Sequence, residues 1–267
     1  MALPQPHNDT TCLITGASSG IGEEIARALA ARGLGVTLVA RREDRLRKLA
    51  SELSAEHGVR AETVACDVSD TDERERLVGE VANRGLTVEV LVNNAGFGSG
   101  GAFHKLDART EAGMVRTNCE AVVSLTGAYL AGMVGRRRGA VLNLASLISF
   151  QPVPFQSTYA ATKAFVLAFT ESVHGELHGS GVTVTAVCPG PVRTEFGEQG
   201  GFGGAEDRIP AFVWLTADKV AADAVKGLES GQRVVVPGAL NRVAAVSGHY
   251  APRALLLPLL RRLWPVS

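Results

Sequence analysis

Three residues of this chain have the side chains and the spacing needed to move a proton on and off a carbonyl oxygen. Tyr159 and Lys163 are four residues apart, so on a helix they lie on one face and can point into one pocket. Ser146 follows the apolar run from Ala140 to Ala145, which is typical of a buried strand, and catalytic groups tend to lie at strand ends. A free tyrosine is a poor base at neutral pH, but a nearby cation such as the Lys163 ammonium favours its phenolate. We therefore predict that Tyr159 exchanges a proton with a substrate oxygen to which Ser146 is hydrogen-bonded.

A tyrosine and a lysine at this spacing are weak evidence alone, because such pairs recur on many solvated helix faces. A glycine-rich turn near the start of the chain adds a second kind of site. An apolar strand signal over residues 11–15 leads into this turn, and a helix-like run follows it to about Arg32. Backbone N–H groups and the helix dipole then face the turn, which suits a phosphate, although an ordinary strand-to-helix turn can also use three glycines. The candidate phosphate-binding residues are Gly16, Ser18, Ser19, Gly20, Ile21 and Gly22.

The end of the second predicted strand bears on the choice of nucleotide. A dinucleotide fold that prefers NAD usually has an acid here, where the ribose 2′-hydroxyl arrives. This chain has Arg41 and Arg42, and guanidinium groups suit the 2′-phosphate of NADP(H), with Ser18 as an added hydroxyl donor. The alternatives are that both arginines only begin a charged helix, or that Glu43 or Asp44 approaches the ribose. We predict NADP(H) in preference to NAD(H).

Two further strand ends carry candidate cofactor residues. The third strand ends at Asp67 and Val68, and the Asp67 carboxylate can accept a hydrogen bond from an adenine amino group. The fourth strand runs into Asn94, Ala95 and Gly96, where small and amide residues let the backbone approach a flat ring. The alternatives are structural: Asp67 as a helix cap, and the Asn-Asn-Ala-Gly turn as a stabiliser of the sheet.

Taken in order, these motifs resemble the single-domain branch of the short-chain dehydrogenase/reductase family. The resemblance covers about residues 10–237 and implies NAD(P)(H)-linked interconversion of a carbonyl and an alcohol. The residues that carry it are Thr15-Gly16-x-x-x-Gly20-x-Gly22, Asn93-Asn94-Ala95-Gly96, Asn118, Ser146, Tyr159-x-x-x-Lys163 and Pro189-Gly190-Pro191-Val192-x-Thr194.

The resemblance also implies roles for individual residues. Tyr159 would be the acid/base and Ser146 would bind the substrate oxygen. Lys163 would bind the nicotinamide ribose beside the tyrosine, and Asn118 would belong to a proton-relay water site. The segment from Pro189 would contact the nicotinamide and lead into the substrate loop. Its cofactor candidates are Pro189, Gly190, Val192 and Thr194.

Asn118 also has a structural interpretation, since it lies in an otherwise helix-like stretch and asparagine often bends or caps helices. Together with the other motifs, it predicts a helix distortion that turns a carbonyl toward Lys163 through water.

Strand and helix signals alternate from Thr11 to about Pro237, which predicts an α/β fold with right-handed crossovers. We expect a single-domain, Rossmann-type doubly wound sheet of about seven parallel strands, the last at residues 233–236, with helices on both faces. The predicted organisation is a disordered N-terminal lead at residues 1–9 and a catalytic domain at residues 10–240, with its substrate loop at about 190–216. A C-terminal apolar tail follows at residues 241–267.

The tail is too short to span a bilayer, and Pro258 interrupts it. It can pack on the domain or a partner subunit, cover the substrate cleft, or lie on a membrane surface, and we favour the first two interpretations over the membrane. The family resemblance implies a homodimer or homotetramer that uses helices around residues 111–134 and 156–177.

Composition limits the other partners. The chain has 27 basic and 27 acidic residues, so its overall charge offers no broad attraction to nucleic acid or to an anionic membrane. Its four cysteines occur singly, which favours a reducing cytoplasm, and residues 1–9 have no apolar run typical of a signal peptide or anchor. His174 and His178 lack the His-Glu-x-x-His spacing, and we expect no metal site.

The predicted substrate pocket is apolar, which favours a hydrophobic ketone or secondary alcohol. Its candidate wall residues are Leu147, Phe150, Val153, Phe155, Phe196, Phe202, Phe212 and Trp214. The glycine-rich residues 197–204 predict a lid. Two other functions compete: a non-catalytic NAD(P)-binding sensor, which would not need Ser146, Tyr159 and Lys163 together, and an epimerase or dehydratase, which usually has a longer C-terminal substrate region.

Overall fold

The computed structural model describes residues 3–199 and 210–263. In this part of the chain, seven parallel strands form one sheet in the order β3-β2-β1-β4-β5-β6-β7. The strands are β1 (Thr10–Thr15), β2 (Val36–Ala40), β3 (Ala61–Ala65), β4 (Thr87–Asn93), β5 (Gly139–Leu144), β6 (Val182–Val187) and β7 (Val234–Val235). The predicted doubly wound fold is confirmed, although the last strand is shorter than residues 233–236.

Helices cover both faces of the sheet. The α-helices are α1 (Gly20–Ala30), α2 (Glu43–His57), α3 (Thr71–Asn83), α4 (Ala108–Val115), α5 (Ala121–Arg136), α6 (Ser157–Glu176), α7 (Glu195–Gln199), α8 (Ala217–Glu229), α9 (Ala239–Tyr250) and α10 (Arg253–Leu263). Helices α1, α2 and α8 share one core with the sheet, whereas α3, α5 and α6 pack in the core of the other face. In β1, for example, Leu13 belongs to one core and Ile14 to the other, and neither is exposed, because successive side chains of a strand point to opposite faces.

The strand order places the site at one point of the sheet. The chain proceeds from β1 outward to β2 and β3, and from β4 outward to β5, β6 and β7 on the other side. The order therefore reverses between β1 and β4. In open α/β sheets the ligand crevice lies at this reversal, beyond the carboxyl ends of the strands. The glycine-rich turn follows β1 and the Asn-Asn-Ala-Gly turn follows β4, so both predicted motifs lie at this crevice.

The two ends of the described chain pack on the same domain. Residues 3–9 contain no helix or strand, and Leu3 packs against the core; a disordered lead at residues 1–9 stays a prediction. At the other end, the predicted apolar tail forms most of α9 and all of α10. Leu260 of α10 is buried, and with Leu256 it belongs to a small apolar cluster that includes Val153 and Ala160.

Candidate active site

The glycine-rich turn after β1 is held closed by the turn after β4. Gly16 has φ +67°, and a Cβ atom there would lie 2.7 Å from Asn94 Nδ2, so only glycine fits. The Asn94 amide donates to the carbonyls of Thr15 (3.0 Å) and Gly16 (3.2 Å). Thr15 Oγ1 accepts the N–H groups of Asn94 and Ala95, both at 3.0 Å. Side chains thus fix the turn and leave it facing the amino end of α1, which begins at Gly20.

Arg42 is the arginine that reaches the glycine-rich turn. Its guanidinium donates to Ser18 Oγ (3.0 and 3.2 Å) and to Ser19 Oγ (2.8 Å). Its Nη1 donates to Glu195 Oε2 at 2.7 Å, and Arg45 donates to the other oxygen of Glu195 at 2.6 Å. Hydrogen bonds and charge from Arg45 and Arg42 lower the pKa of Glu195 to about 2. The Glu195 carboxylate is therefore ion-paired with Arg45 and with Arg42, one of the two arginines predicted to bind a 2′-phosphate.

Arg41 and Asp67 occupy the rim of the same region. The Arg41 side chain is 77% exposed, and its Nη1 lies 3.8 Å from Asp67 Oδ2. Asp67 does not cap the following helix, because the N-cap of α3 is Asp70, which accepts the N–H of Glu73 at 3.0 Å. The Asp67 carboxylate instead accepts two hydrogen bonds from Ser69.

Ser146 is positioned by a short turn that also contacts α6. It is the N-cap of the 3₁₀ helix Leu147–Phe150, and its Oγ accepts the N–H of Ile148 at 3.3 Å. Ser149 Oγ accepts the N–H of Ser146 at 3.2 Å and donates to the carbonyl of Lys163 at 2.9 Å. Ser149 therefore links the serine at the end of β5 to the helix that carries the tyrosine and the lysine.

Tyr159 and Lys163 lie one turn apart on α6, with Lys163 Nζ 5.9 Å from the centroid of the tyrosine ring. Lys163 is buried, and its Nζ donates to the carbonyl of Leu144 at 2.7 Å. Burial raises the pKa of Tyr159 to about 12, and a hydrogen bond with Ser146 acts in the opposite direction without reversing the shift. Burial also lowers the pKa of Lys163 to about 8. Desolvation therefore governs the pKa of Tyr159 in the structure without cofactor, and the stabilisation of its phenolate by Lys163 stays a prediction.

Asn118 lies in a π-helical turn, Arg116–Glu120, between α4 and α5. This is the helix distortion that its position suggested. Its side-chain oxygen accepts the N–H of Phe97 at 3.1 Å, and its amide donates to the carbonyl of Phe97 (2.9 Å) and to Thr162 Oγ1 (3.1 Å). The side chain thus joins the strand β4 loop to α6. A Cβ atom on Gly96 would lie 2.9 Å from Asn118 Oδ1 and 3.5 Å from Lys163 Nζ.

One cavity of about 1230 Å³ contains nearly all of the predicted site. Its lining includes Gly16, Ser18, Ser19, Gly20, Ile21, Arg41, Arg42, Asp67, Val68, Asn94, Ala95, Gly96, Ser146, Tyr159, Lys163, Pro189, Gly190, Val192 and Thr194. Two predicted residues lie behind this surface: Gly22, which packs against Asn94 and the carbonyl of Gly16, and Asn118, which is 1% exposed. The turn at a helix N-terminus, the positive-φ glycines and the arginine beside two serines suit a dinucleotide phosphate chain.

The far end of the cavity is mostly apolar. Of the predicted wall residues, Leu147, Val153, Phe196 and Trp214 line it. Phe150 and Phe155 are absent from the lining, and Phe212 is 74% exposed. Phe202 and much of the predicted lid lie outside the described residues. The Tyr159 and Phe196 ring centroids are 5.6 Å apart, so helix α7, which follows Thr194, reaches the tyrosine that is predicted to be catalytic.

Several contributors were missed by the sequence reasoning. Glu195 and Arg45 join the Arg42 cluster, Ser149 positions Ser146, and Leu260 and Arg262 of α10 line the cavity. A polar residue three positions after Ser146 was the available signal for Ser149, since it matches a capping box. Arg45 and Glu195 each lie close to a motif in sequence but far from each other, so only the fold shows that they form an ion pair. Leu260 and Arg262 are distant from every motif. Among residues 3–199 and 210–263, no cluster of three or more potential metal ligands occurs.

Comparison with known proteins identifies the family. A profile of the short chain dehydrogenase family matches residues 10–200. A putative ketoacyl reductase of Streptomyces coelicolor is 37% identical over 254 residues, covering 89% of this chain and 97% of that protein.

Solved structures agree with this similarity. A short-chain dehydrogenase from Sphingobium yanoikuyae in complex with NADPH has a TM-score of 0.80 and 32% identity, covering 90% of this chain and 92% of that one. A variant of actinorhodin polyketide ketoreductase with NADPH has a TM-score of 0.75 and 35% identity, covering 90% and 97%. This protein belongs to the short-chain dehydrogenase/reductase family and is an NAD(P)-dependent oxidoreductase that interconverts carbonyl and alcohol groups.

Proposed function

We propose that this enzyme is an NADP(H)-dependent ketone reductase, with Tyr159 as the general acid and a hydrophobic carbonyl compound as substrate. The observation that carries the proposal is one cavity that joins Arg42 and the glycine-rich turn at one end to Ser146, Tyr159 and an apolar wall at the other. A dinucleotide extended along it brings its reactive ring to the end where a carbonyl would meet the tyrosine.

In this proposal the protein side chains bind and protonate the substrate oxygen. Ser146 hydrogen-bonds that oxygen and holds it beside Tyr159, which donates its proton as the oxygen gains negative charge. Reduced nicotinamide, when bound, supplies the hydride taken up by the carbonyl carbon. The raised pKa of Tyr159, about 12, keeps the phenol protonated at neutral pH and thereby suits it to the reductive direction.

Lys163 and Asn118 would support the tyrosine in different ways. Lys163 would bind the cofactor ribose and return a proton to Tyr159 from solvent. The Asn118 side chain is occupied by Phe97 and Thr162, so we assign it a positioning role. The relay carbonyl would be a backbone group of its π-helical turn, because such a turn frees a carbonyl from the i→i−4 ladder.

The preference for NADP(H) rests on Arg42. Its guanidinium already lies across Ser18 and Ser19 of the glycine-rich turn, the position at which a 2′-phosphate would arrive. Two similar solved structures, those of the Sphingobium yanoikuyae dehydrogenase and the actinorhodin ketoreductase variant, contain NADPH and support this assignment. The family also includes NAD users.

The test is NADPH oxidation against a panel of carbonyl compounds, with NADH and the Tyr159→Phe variant in parallel. The panel includes a 3-ketoacyl thioester, because one relative is named a ketoacyl reductase, together with a bulky apolar ketone and a ketose. We expect turnover on an apolar ketone that NADPH supports better than NADH and that Tyr159→Phe abolishes. Tight nucleotide binding without turnover on any compound would instead favour the sensor, and epimerisation without net cofactor change would favour the other alternative.

Assembly and location complete the proposal. We propose a homodimer or homotetramer whose interface includes α4, α5 and α6, since Val115, Val123 and Phe165 on these helices are 40–45% exposed. Light scattering that shows only a monomer at working concentration would contradict it. The cysteines in the described residues are free and buried, which suits the cytoplasm that their spacing suggested.

A further inference from the structure

Helix α9 has an apolar face that the domain does not cover. Asn241, Ala245 and Gly248 are buried, and their spacing places them on one side of the helix. The opposite side carries four large apolar side chains that are each more than half exposed. They are Leu240, Val243, Val246 and Tyr250. Contiguous exposed apolar groups of this kind indicate a contact surface.

Helix α10 repeats this division. Leu256 and Leu260 pack against the domain in the cluster that contains Val153. Leu255 and Leu259, which are also one turn apart, are 73% and 54% exposed. One edge of α10 therefore anchors the helix, and another edge presents leucine side chains to the surroundings.

The charge of this region is one-sided. After Glu229 the sequence contains five arginines and neither aspartate nor glutamate, whereas the whole chain has equal numbers of basic and acidic residues. Two of these arginines have structural partners: Arg233 pairs with Glu171, and Arg253 donates to the carbonyls of Gly248 and Phe150. The remaining three, within the described part of the chain, form no ion pair. They are Arg242, Arg261 and Arg262.

A second copy of the chain is a poor match for this surface. In a two-fold interface the same patch faces itself, so arginines would meet arginines with no acid nearby to pair them. An anionic bilayer surface has the complementary charge, and its acyl boundary accepts leucine, valine and tyrosine side chains without a shaped pocket. The combination of exposed apolar groups and unpaired arginines therefore favours lipid.

Helix α10 connects this exposed surface to the substrate cavity. Leu260 and Arg262 line the cavity that contains Ser146 and Tyr159, so α10 forms part of the cavity wall. No helix in the described residues is long and apolar enough to cross a membrane. We propose that α9 and α10 form a docking surface for anionic lipid bilayers, on which the enzyme lies peripherally with its substrate cavity next to the interface.

The test uses the full-length protein and sedimentation with two kinds of vesicle, one of phosphatidylcholine alone and one with equal parts of phosphatidylcholine and phosphatidylglycerol. We expect binding to the mixed vesicles, little binding to phosphatidylcholine alone, and weaker binding in raised salt because charge is screened. Absence of binding to the mixed vesicles, or equal binding to both kinds, would overturn the proposal.

Two double variants locate the surface. Arg242→Gln with Arg261→Gln should weaken binding by about 25-fold, from the usual contribution of a basic residue near an anionic leaflet. Lys105→Gln with Arg109→Gln removes the same charge from exposed positions elsewhere and should leave binding nearly unchanged. An equal loss in both variants would show that net charge, and not this surface, governs binding, and would overturn the proposal.

Val243→Ser with Val246→Ser tests the apolar part. Both side chains are at least 60% exposed, so the thermal unfolding temperature should be unchanged while vesicle binding falls by roughly tenfold or more, as buried apolar area is lost. Light scattering on the same variant tests whether a second copy of the chain, and not lipid, covers this face. A fall in oligomeric mass relative to the unmodified protein would identify the face as a subunit interface and overturn the lipid assignment.

Discussion

Arg42→Ala should convert the enzyme from NADPH preference toward indifference between the two cofactors. The Arg42 guanidinium donates to Ser18, Ser19 and Glu195 at 2.7–3.2 Å, and the proposed 2′-phosphate would be bound by the same group. A hydrogen bond to a charged group is worth roughly 1.5–3 kcal/mol, so the NADPH dissociation constant should rise by about 10- to 150-fold. NADH lacks this phosphate, and its affinity should change little.

Arg41→Ala provides a matched control. It removes an identical side chain one residue earlier, but this one is 77% exposed and lies 3.8 Å from Asp67. An exposed charge contributes little, so we expect at most a few-fold loss of NADPH affinity. Retained structure is checked by the thermal unfolding temperature, which neither substitution should lower appreciably.

The assay is a competing titration of NADPH and NADH, followed by the fluorescence of the bound reduced nicotinamide. Two results would refute the reasoning. One is a preference of the unmodified enzyme for NADH, which would direct attention to Glu43 or Asp44 as the ribose partner. The other is an equal loss of affinity for NADPH and for NADH in Arg42→Ala, which would mean that the arginine only stabilises the glycine-rich turn.

Three further predictions concern the same cavity. Tyr159→Phe should abolish turnover, by at least about 100-fold as expected for loss of a general acid, yet preserve NADPH binding in the same titration; near-normal activity would exclude the acid role. Glu195→Gln should tighten NADPH binding by up to about fivefold, the range of an exposed ion pair, because the carboxylate no longer competes for Arg42, and a loosening would contradict this. The pKa of Lys163, lowered by burial to about 8, implies that its ammonium is present below that pH and lost above it. kcat/KM for reduction should therefore fall above about pH 8, and a pH profile that stays flat to pH 10 would exclude this role for its charge.

The sequence predicted the sheet and most of the cavity lining because both depend on local patterns. Buried strands, glycine-rich turns and a tyrosine-lysine pair are each readable within about ten residues, and the parallel fold collects all strand ends at one edge. The sequence could not predict which of Arg41 and Arg42 contacts the glycine-rich turn, since this depends on which of the two side chains points inward after β2. Glu195 was missed because its partners, Arg42 and Arg45, lie 150 or more positions earlier. The contribution of α10 to the cavity wall was only one of three alternatives, because an apolar sequence does not specify which surface it packs against.

The protonation of Tyr159 and Lys163 illustrates the same limit and gives the site its direction. Residue types predicted a lysine that lowers the pKa of a tyrosine, but burial acts on both groups and disfavours the charged form of each. It raises the pKa of the phenol to about 12 and lowers that of the ammonium to about 8. At neutral pH the tyrosine therefore still holds its proton and the lysine still holds its charge. In this state Tyr159 can donate a proton to the alkoxide that develops during reduction, and the Lys163 cation lies beside the phenolate that is then left.

Oxidation of an alcohol would first require removal of the Tyr159 proton, so we expect reduction to be the faster direction near pH 7 and the oxidation rate to rise with pH. Initial rates in both directions between pH 6 and 8, where Lys163 keeps its charge, measure this, and an oxidation rate that falls with pH in that range would exclude Tyr159 as the group that takes the proton.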